Sequence, residues 1–252
     1  MPVAAVPSRS PFRACFDLAR AGNFPSVASN VLAALVLTST AEPRWPAGER
    51  LALGVLAGCL IYAGGATFND VADATIDARD RPERAIPSRV ISRSGAAGIA
   101  ALEMLAGLGL LVGAGASPAW AMALAATILA YDCIHKRWTG SVLLMAGCRA
   151  WLAITLSSLP GQIPEKAFWA WVGVLFVYIV TLSLLARREN KLAQQSSSPS
   201  SAKRGPSIGR LLAFIPLIDA IAVLLVGAWI PALICATAIP LGRWAQRLAA
   251  ST

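Results

Sequence analysis

The sequence predicts an all-α protein, a polytopic membrane bundle of about eight transmembrane helices. Three observations lead there. Of 252 residues, 56% are hydrophobic and only 14% charged, outside the range of an ordinary soluble domain. The apolar residues fall in separate runs of about 20, the length a helix needs to cross a bilayer with its backbone hydrogen bonds satisfied internally. The basic residues are also segregated. With the N-terminus cytoplasmic, segments on that side hold eighteen Lys and Arg against three outside, as the positive-inside rule requires. The net charge of +9 then belongs to membrane loops, and no nucleic-acid partner is expected. Both termini are expected in the cytoplasm, at the inner membrane if the chain is bacterial.

Residues 1–22 read as a polar, basic cytoplasmic segment carrying Arg9, Arg13 and Arg20. No cleavable signal is evident, so the first apolar run, about 24–40, stays as an anchor. Asn23 and Asn30 are polar groups near and within it. Glu42-Pro43-Arg44-Trp45-Pro46 breaks the helix and supplies an interfacial Trp. The second span is 51–68, where Gly64-Gly65 permits close helix approach. A charged loop, 69–94, leads to a third span over about 95–115, with Ser92 or Ser94 as cap. Ser117-Pro118 turns tightly into the fourth, about 119–134, which His135-Lys136-Arg137 ends. The fifth, about 141–159, is broken by Pro160-Gly161. The sixth is about 168–186, followed by a flexible cytoplasmic linker over 187–207 with a Ser-rich centre. The last two spans are about 208–227 and 229–248, with Pro231 and Pro240 as kink points. The five cysteines lack metal spacing and mostly lie in apolar runs, as small core residues do.

The most informative stretch follows the second span. On a continuing helix Asn69, Asp73 and Asp77 recur every four residues, and Asp70 flanks them. Like charges at that spacing repel unless a cation lies between them. Oxygen ligands of this kind suit Mg²⁺, which is usually shared with phosphate oxygens. Arg79, Arg81 and Arg84 follow closely, and guanidinium groups match phosphate geometry. A diphosphate held by Mg²⁺ and Arg at a membrane surface is the simplest account. A merely solvated loop is the alternative, and the Asn/Asp spacing tells against it. Two further charges lie inside spans: Arg149 in the fifth and Asp219 in the seventh. Such groups face a cavity or a partner. Simple pairing between helices is the competing explanation for both.

The stretch resembles the first signature of the UbiA family of membrane prenyltransferases, N-D-x-x-D-x-x-x-D followed by R-P-x-R-P-[IL]. Here it reads Asn69-Asp70-x-x-Asp73-x-x-x-Asp77, then Arg81-Pro82-Glu83-Arg84-Ala85-Ile86, with Ala85 in place of a Pro. Tyr131-Asp132-x-x-x-Lys136 resembles the family's Tyr/Lys signature on its fourth helix, with one extra residue in the spacing. Most members carry a second acidic pair, D-x-x-x-D, at the end of the sixth helix. This chain has Arg187-Arg188-Glu189-Asn190 there. That helix end, with Cys148-Arg149-Ala150, resembles an EboC-like branch.

The resemblance implies a transmembrane domain over residues 23–250, its helices arranged around a central cavity. It implies transfer of a prenyl group from a prenyl diphosphate to an apolar or aromatic acceptor, with Mg²⁺ as cofactor. Asn69, Asp70, Asp73 and Asp77 would hold the metal. Asp73, Asp77, Tyr131 and Lys136 would be catalytic, and Asn23, Arg81, Arg84, Asp132, Arg149, Arg187 and Arg188 would bind substrate. The competing readings are a UbiA-like terpene cyclase, a non-catalytic prenyl-lipid carrier, and a secondary transporter built on Arg149 and Asp219. A transporter would show inverted repeats, and no repeat is evident.

Overall fold

A computed structural model describes residues 10–39, 45–195, 211–212 and 214–250. The regular structure among them is helical: α1 (Pro11–Leu18), a 3₁₀ turn (Ala21–Asn23), α2 (Phe24–Thr38), α3 (Gly48–Asp80), α4 (Arg93–Gly113), α5 (Pro118–Ile134), α6 (Ser141–Ser157), α7 (Lys166–Gln195), α8 (Ile215–Leu225) and α9 (Trp229–Ala250). The expected all-α membrane bundle is present. Among the described residues four stretches are long and apolar enough to span a bilayer, Ala21–Thr38, Gly48–Asp80, Arg93–Gly113 and Lys166–Glu189. α5, α6 and α8 are shorter apolar helices.

Four details depart from the sequence reading. The expected loop 69–94 begins later: α3 continues without a break for 33 residues, to Asp80, so the acidic stretch lies on the continuing helix that its spacing assumed. At 1.5 Å per residue that is about 50 Å, well beyond a hydrocarbon core of about 30 Å, so its last turns project from the membrane. α7 likewise runs on to Gln195. The first part of the expected 187–207 linker is therefore helix, and its remainder, with the Ser-rich centre, lies outside the described residues, as do Arg9 and residues 40–44. α8 begins only at Ile215, and most of the expected span before it also lies outside them. Finally, α1 was not anticipated, although Ser10 caps it through its hydroxyl and Pro11 opens it, both ordinary helix-start signals.

The bundle is organised around α2. Every residue from Val31 to Leu37 is almost completely buried, so the helix is apolar on all sides and enclosed. It packs against α3, α6, α7, α8 and α9. Outward-facing Leu102, Leu105, Met122, Val177 and Leu225 are exposed, as expected of side chains that meet lipid. A second, smaller cluster lies where α3 leaves the bundle. Ala14 and Leu18 of α1 pack there on Val71 and Ala74 of α3, with Ala85, Ile86 and Ala96. This cluster folds the N-terminal segment and the 81–92 loop onto the acidic end of α3.

The glycine reading of α3 holds. A Cβ on Gly64 would lie 2.8 Å from the carbonyl oxygen of Ala100, and one on Gly107 would lie 2.7 Å from that of Ala57. The two backbones touch at these points. Gly107→Val should therefore destabilise the α3–α4 pair by about 1–3 kcal/mol, the range for overpacking. Gly109→Ala, where nothing lies within 4 Å, should be near neutral. Thermal unfolding of both variants in one detergent checks the contrast.

Candidate active site at the projecting end of α3

The four-residue recurrence turns Asn69, Asp70, Asp73 and Asp77 inward, and all four are buried. Their charge is met by cations from three other segments of the chain. Arg20, in a left-handed backbone conformation after α1, donates from Nη2 to Asn69 Oδ1 and Asp70 Oδ1, both at 3.2 Å. Arg84 bridges Asp70 and Asp77 from one nitrogen, at 3.1 and 2.8 Å. Beyond the end of α5, Lys136 Nζ and His135 Nε2 reach Asp73 Oδ2 at 2.9 and 3.3 Å. The Asp73 carboxylate raises the His135 pKa above its ordinary 6.5, outweighing the opposing effect of burial. The ring of Tyr131 stacks on His135, centroids 5.1 Å apart.

Asn69 joins this network to α5. Its Nδ2 donates to Asp132 Oδ1 at 3.1 Å. The other carboxylate oxygen, Asp132 Oδ2, is buried without a hydrogen-bond partner among the described residues. A buried oxygen left in that state is costly unless a ligand completes it.

Below this polar layer lies an apolar cavity of about 180 Å³. Ile61, Leu124, Ile128, Leu152, Ile179 and Ile215 supply much of its wall, and Arg20, Asn69, Tyr131 and Asp132 line it too. Arg149 and Tyr62 also face it. Asn23 stands behind the wall: its Nδ2 donates to Tyr62 Oη at 2.8 Å, and its Oδ1 accepts from Gln246.

The structure thus gathers Asn69, Asp70, Asp73, Asp77, Arg84, Tyr131, Asp132 and Lys136 at one end of the cavity. Arg81 is exposed, and its backbone N–H closes the last turn of α3. Arg187 is engaged elsewhere: it donates to the carbonyls of Thr139 and His135, each at 3.1 Å, and to Ser141 Oγ at 2.7 Å. It clamps the turn that presents His135 and Lys136 and makes no contact with the acidic face. Arg188 is exposed. Sequence reasoning missed Arg20, counted only as a topogenic charge, and gave His135 no role beyond ending the fourth span. Neither motif spacing nor composition connects Arg20 with residues 49 and 50 positions away.

Among the described residues no three His, Cys, Asp or Glu side chains stand together as a preformed metal site. The donor chemistry nevertheless fits a hard cation. All candidate ligands are oxygens, one helix face concentrates them, and Asp132 Oδ2 has no other partner.

A bundle of apolar helices with an internal apolar cavity, bordered at one end by buried carboxylates and their arginine partners, defines an integral membrane protein. The family model described as the UbiA prenyltransferase family matches residues 27–251, and the chain belongs to that family. A solved structure from work on a digeranylgeranylglyceryl phosphate synthase in membranes shares the fold, with a TM-score of 0.59 at 15% identity, covering 94% of this chain and 93% of that one. None of the curated proteins matches the chain.

His135 is the one histidine in the sequence, so its titration can be followed without assignment. A raised pKa means that the His135–Asp73 contact contributes fully below about 6.5 and is lost as pH rises through the elevated folded value. In metal-free protein, ¹³C NMR of labelled histidine should show a midpoint above 6.5, and Asp73→Asn should bring it down. A midpoint that ignores the substitution would contradict the ion pair.

Proposed function

We propose that this protein transfers a prenyl group from a prenyl diphosphate to an apolar or aromatic acceptor, in a Mg²⁺-dependent reaction. The observation that carries the proposal is the apolar cavity ending at Asn69, Asp132 and Arg20, with the acidic face of α3 beside it. The apolar part suits a prenyl chain by its chemistry, and a diphosphate would find counter-charges at the polar end. Asn69, Asp70, Asp73 and Asp77 would hold Mg²⁺, with Asp132 within the same network through Asn69. When bound, the metal supplies Lewis-acid stabilisation of the leaving diphosphate.

The remaining work falls to the side chains. Arg20, Arg84 and Lys136 now neutralise the carboxylates and can turn to diphosphate oxygens, to which guanidinium and ammonium groups donate charge-assisted bonds. Arg81, just past the end of α3, and Arg188, beside Arg187 on α7, are exposed and would add positive charge for the diphosphate. Arg187 contributes by fixing the turn of His135 and Lys136. The Tyr131 ring offers a π-face to the developing allylic cation. The cavity wall keeps water from that cation. The Arg187-Arg188-Glu189-Asn190 end of α7, where most members carry a second acidic pair, supports a likeness to the EboC-like members. The acidic end is assigned to the cytoplasmic side by the charge asymmetry of the loops.

One observation favours a second reading, a prenyl-lipid carrier without catalysis. Each carboxylate of the acidic face, Asp70, Asp73 and Asp77, already has a cation of the chain as partner. Turnover decides. With geranylgeranyl diphosphate and Mg²⁺ in nanodiscs, the protein should release diphosphate only when an acceptor is supplied. Asp73→Ala should reduce release about 100-fold or more, the scale of a lost electrostatic contact to the developing charge. Tight binding without release would favour the carrier, and release with no acceptor a cyclase.

A further inference from the structure

The inner wall of the cavity carries a charge that the acidic end does not use. Arg149, on α6, faces the cavity beside Tyr62, its guanidinium carbon 6.0 Å from the ring centroid. Among the described residues its hydrogen bonds all leave from one nitrogen. Nη1 donates to the Ser26 carbonyl at 3.3 Å, to Ser26 Oγ at 3.0 Å and to Asn30 Oδ1. Nε and Nη2 remain for a ligand.

Asn30 determines where that guanidinium sits, and Asp219 determines how Asn30 is turned. The amide nitrogen of Asn30 donates to both oxygens of Asp219, each at 2.8 Å. With its nitrogen engaged there, the amide presents its oxygen to Arg149. Asp219 is completely buried and is fixed from two further sides, by Ser29 Oγ at 2.7 Å and Trp171 Nε1 at 3.0 Å. A carboxylate only accepts, so the direction of every bond in the chain from Trp171 to Arg149 is set. Side chains from α2, α6, α7 and α8 take part.

Tyr62, the ring beside Arg149, precedes Asn69 by seven residues on α3, about two turns or 10 Å of helix axis. That separation favours a different group for Arg149 from the diphosphate proposed at Asn69. We infer that Asp219, acting through Asn30, is a positioning residue that holds Arg149 at the inner wall to bind a carboxylate of the acceptor. The inference relies on the prenyl-transfer reading for the word acceptor. The oxygen-binding wall itself stands on the hydrogen bonds above.

The test uses the full chain in nanodiscs and three probes: 4-hexylbenzoate, its methyl ester, and a non-hydrolysable geranylgeranyl thiolodiphosphate with Mg²⁺. The native protein should prefer the carboxylate to the ester by about tenfold, as a charge-assisted contact would give. Asp219→Asn gives position 219 a donor as well as an acceptor and no longer dictates how Asn30 turns. It should bring the ratio close to one and change thiolodiphosphate affinity by less than about twofold. Trp171→Phe removes only one bond to Asp219 and should fold normally with an intermediate ratio. A merely structural role would lower the unfolding temperature and leave the ratio intact, which overturns the inference, as would an unchanged ratio in Trp171→Phe. An equal loss of thiolodiphosphate affinity would make the diphosphate the group on Arg149 and also overturn it. Native protein that fails to bind the thiolodiphosphate would remove the prenyl-transfer reading while the carboxylate-to-ester ratio still decides this one.

Discussion

Four buried polar side chains on one face of one helix, three of them carboxylates, cannot be left to themselves. Asn69, Asp70, Asp73 and Asp77 occupy such a face on α3. Their mutual repulsion and loss of hydration must be offset from elsewhere in the chain. Arg20, Arg84, His135 and Lys136 provide that offset, from three segments distant in sequence or separated by a turn. Much of the local architecture follows. α3 has to continue past the membrane to present the face. α1 and the 81–92 loop have to pack on it through Ala14, Leu18, Ala85 and Ile86, because they deliver Arg20 and Arg84. The turn after α5 has to be rigid, and Arg187 ties it by bonds to two carbonyls and a hydroxyl.

The same constraint recurs deeper in the bundle in a different form. A charge at the centre of a bilayer costs about 2.5–3.5 kcal/mol on insertion scales, so Arg149 and Asp219 would be unfavourable singly. Asn30 links them, its amide serving both at once. The two polar systems flank one apolar cavity, Arg20 and Asn69 at one end and Arg149 on the wall. In the proposed reaction the first would take the diphosphate and the second the acceptor.

The bundle was legible because membrane crossing forces apolar length, and the acidic face because its four-residue recurrence survives in the bare sequence. Gly64 was legible for a related reason: close helix approach demands a residue without a side chain, and the Ala100 carbonyl stands there. Other features depend on what packs against what. Val31 to Leu37 reads as one more span, and only the five surrounding helices make it the centre. Arg20 reads as a topogenic charge until a left-handed turn aims it at Asn69. Arg187 reads as a candidate phosphate ligand, yet the carbonyls of the 135–141 turn are closer and claim it. The extension of α7 through Gln195 was hidden by its polar composition, since helices that leave the membrane lose the apolar signal by which spans are recognised.

The central claim is that the acidic face of α3 is neutralised by the chain's own cations, and that a diphosphate frees it for metal by drawing those cations away. Calorimetric titration of Mg²⁺ into the protein, with and without geranylgeranyl thiolodiphosphate, tests this directly. The account predicts weak Mg²⁺ binding alone and at least about tenfold tighter binding once the diphosphate is present, a coupling of roughly 1.4 kcal/mol or more. Tight Mg²⁺ binding to the unliganded protein, or diphosphate affinity indifferent to Mg²⁺, would contradict it.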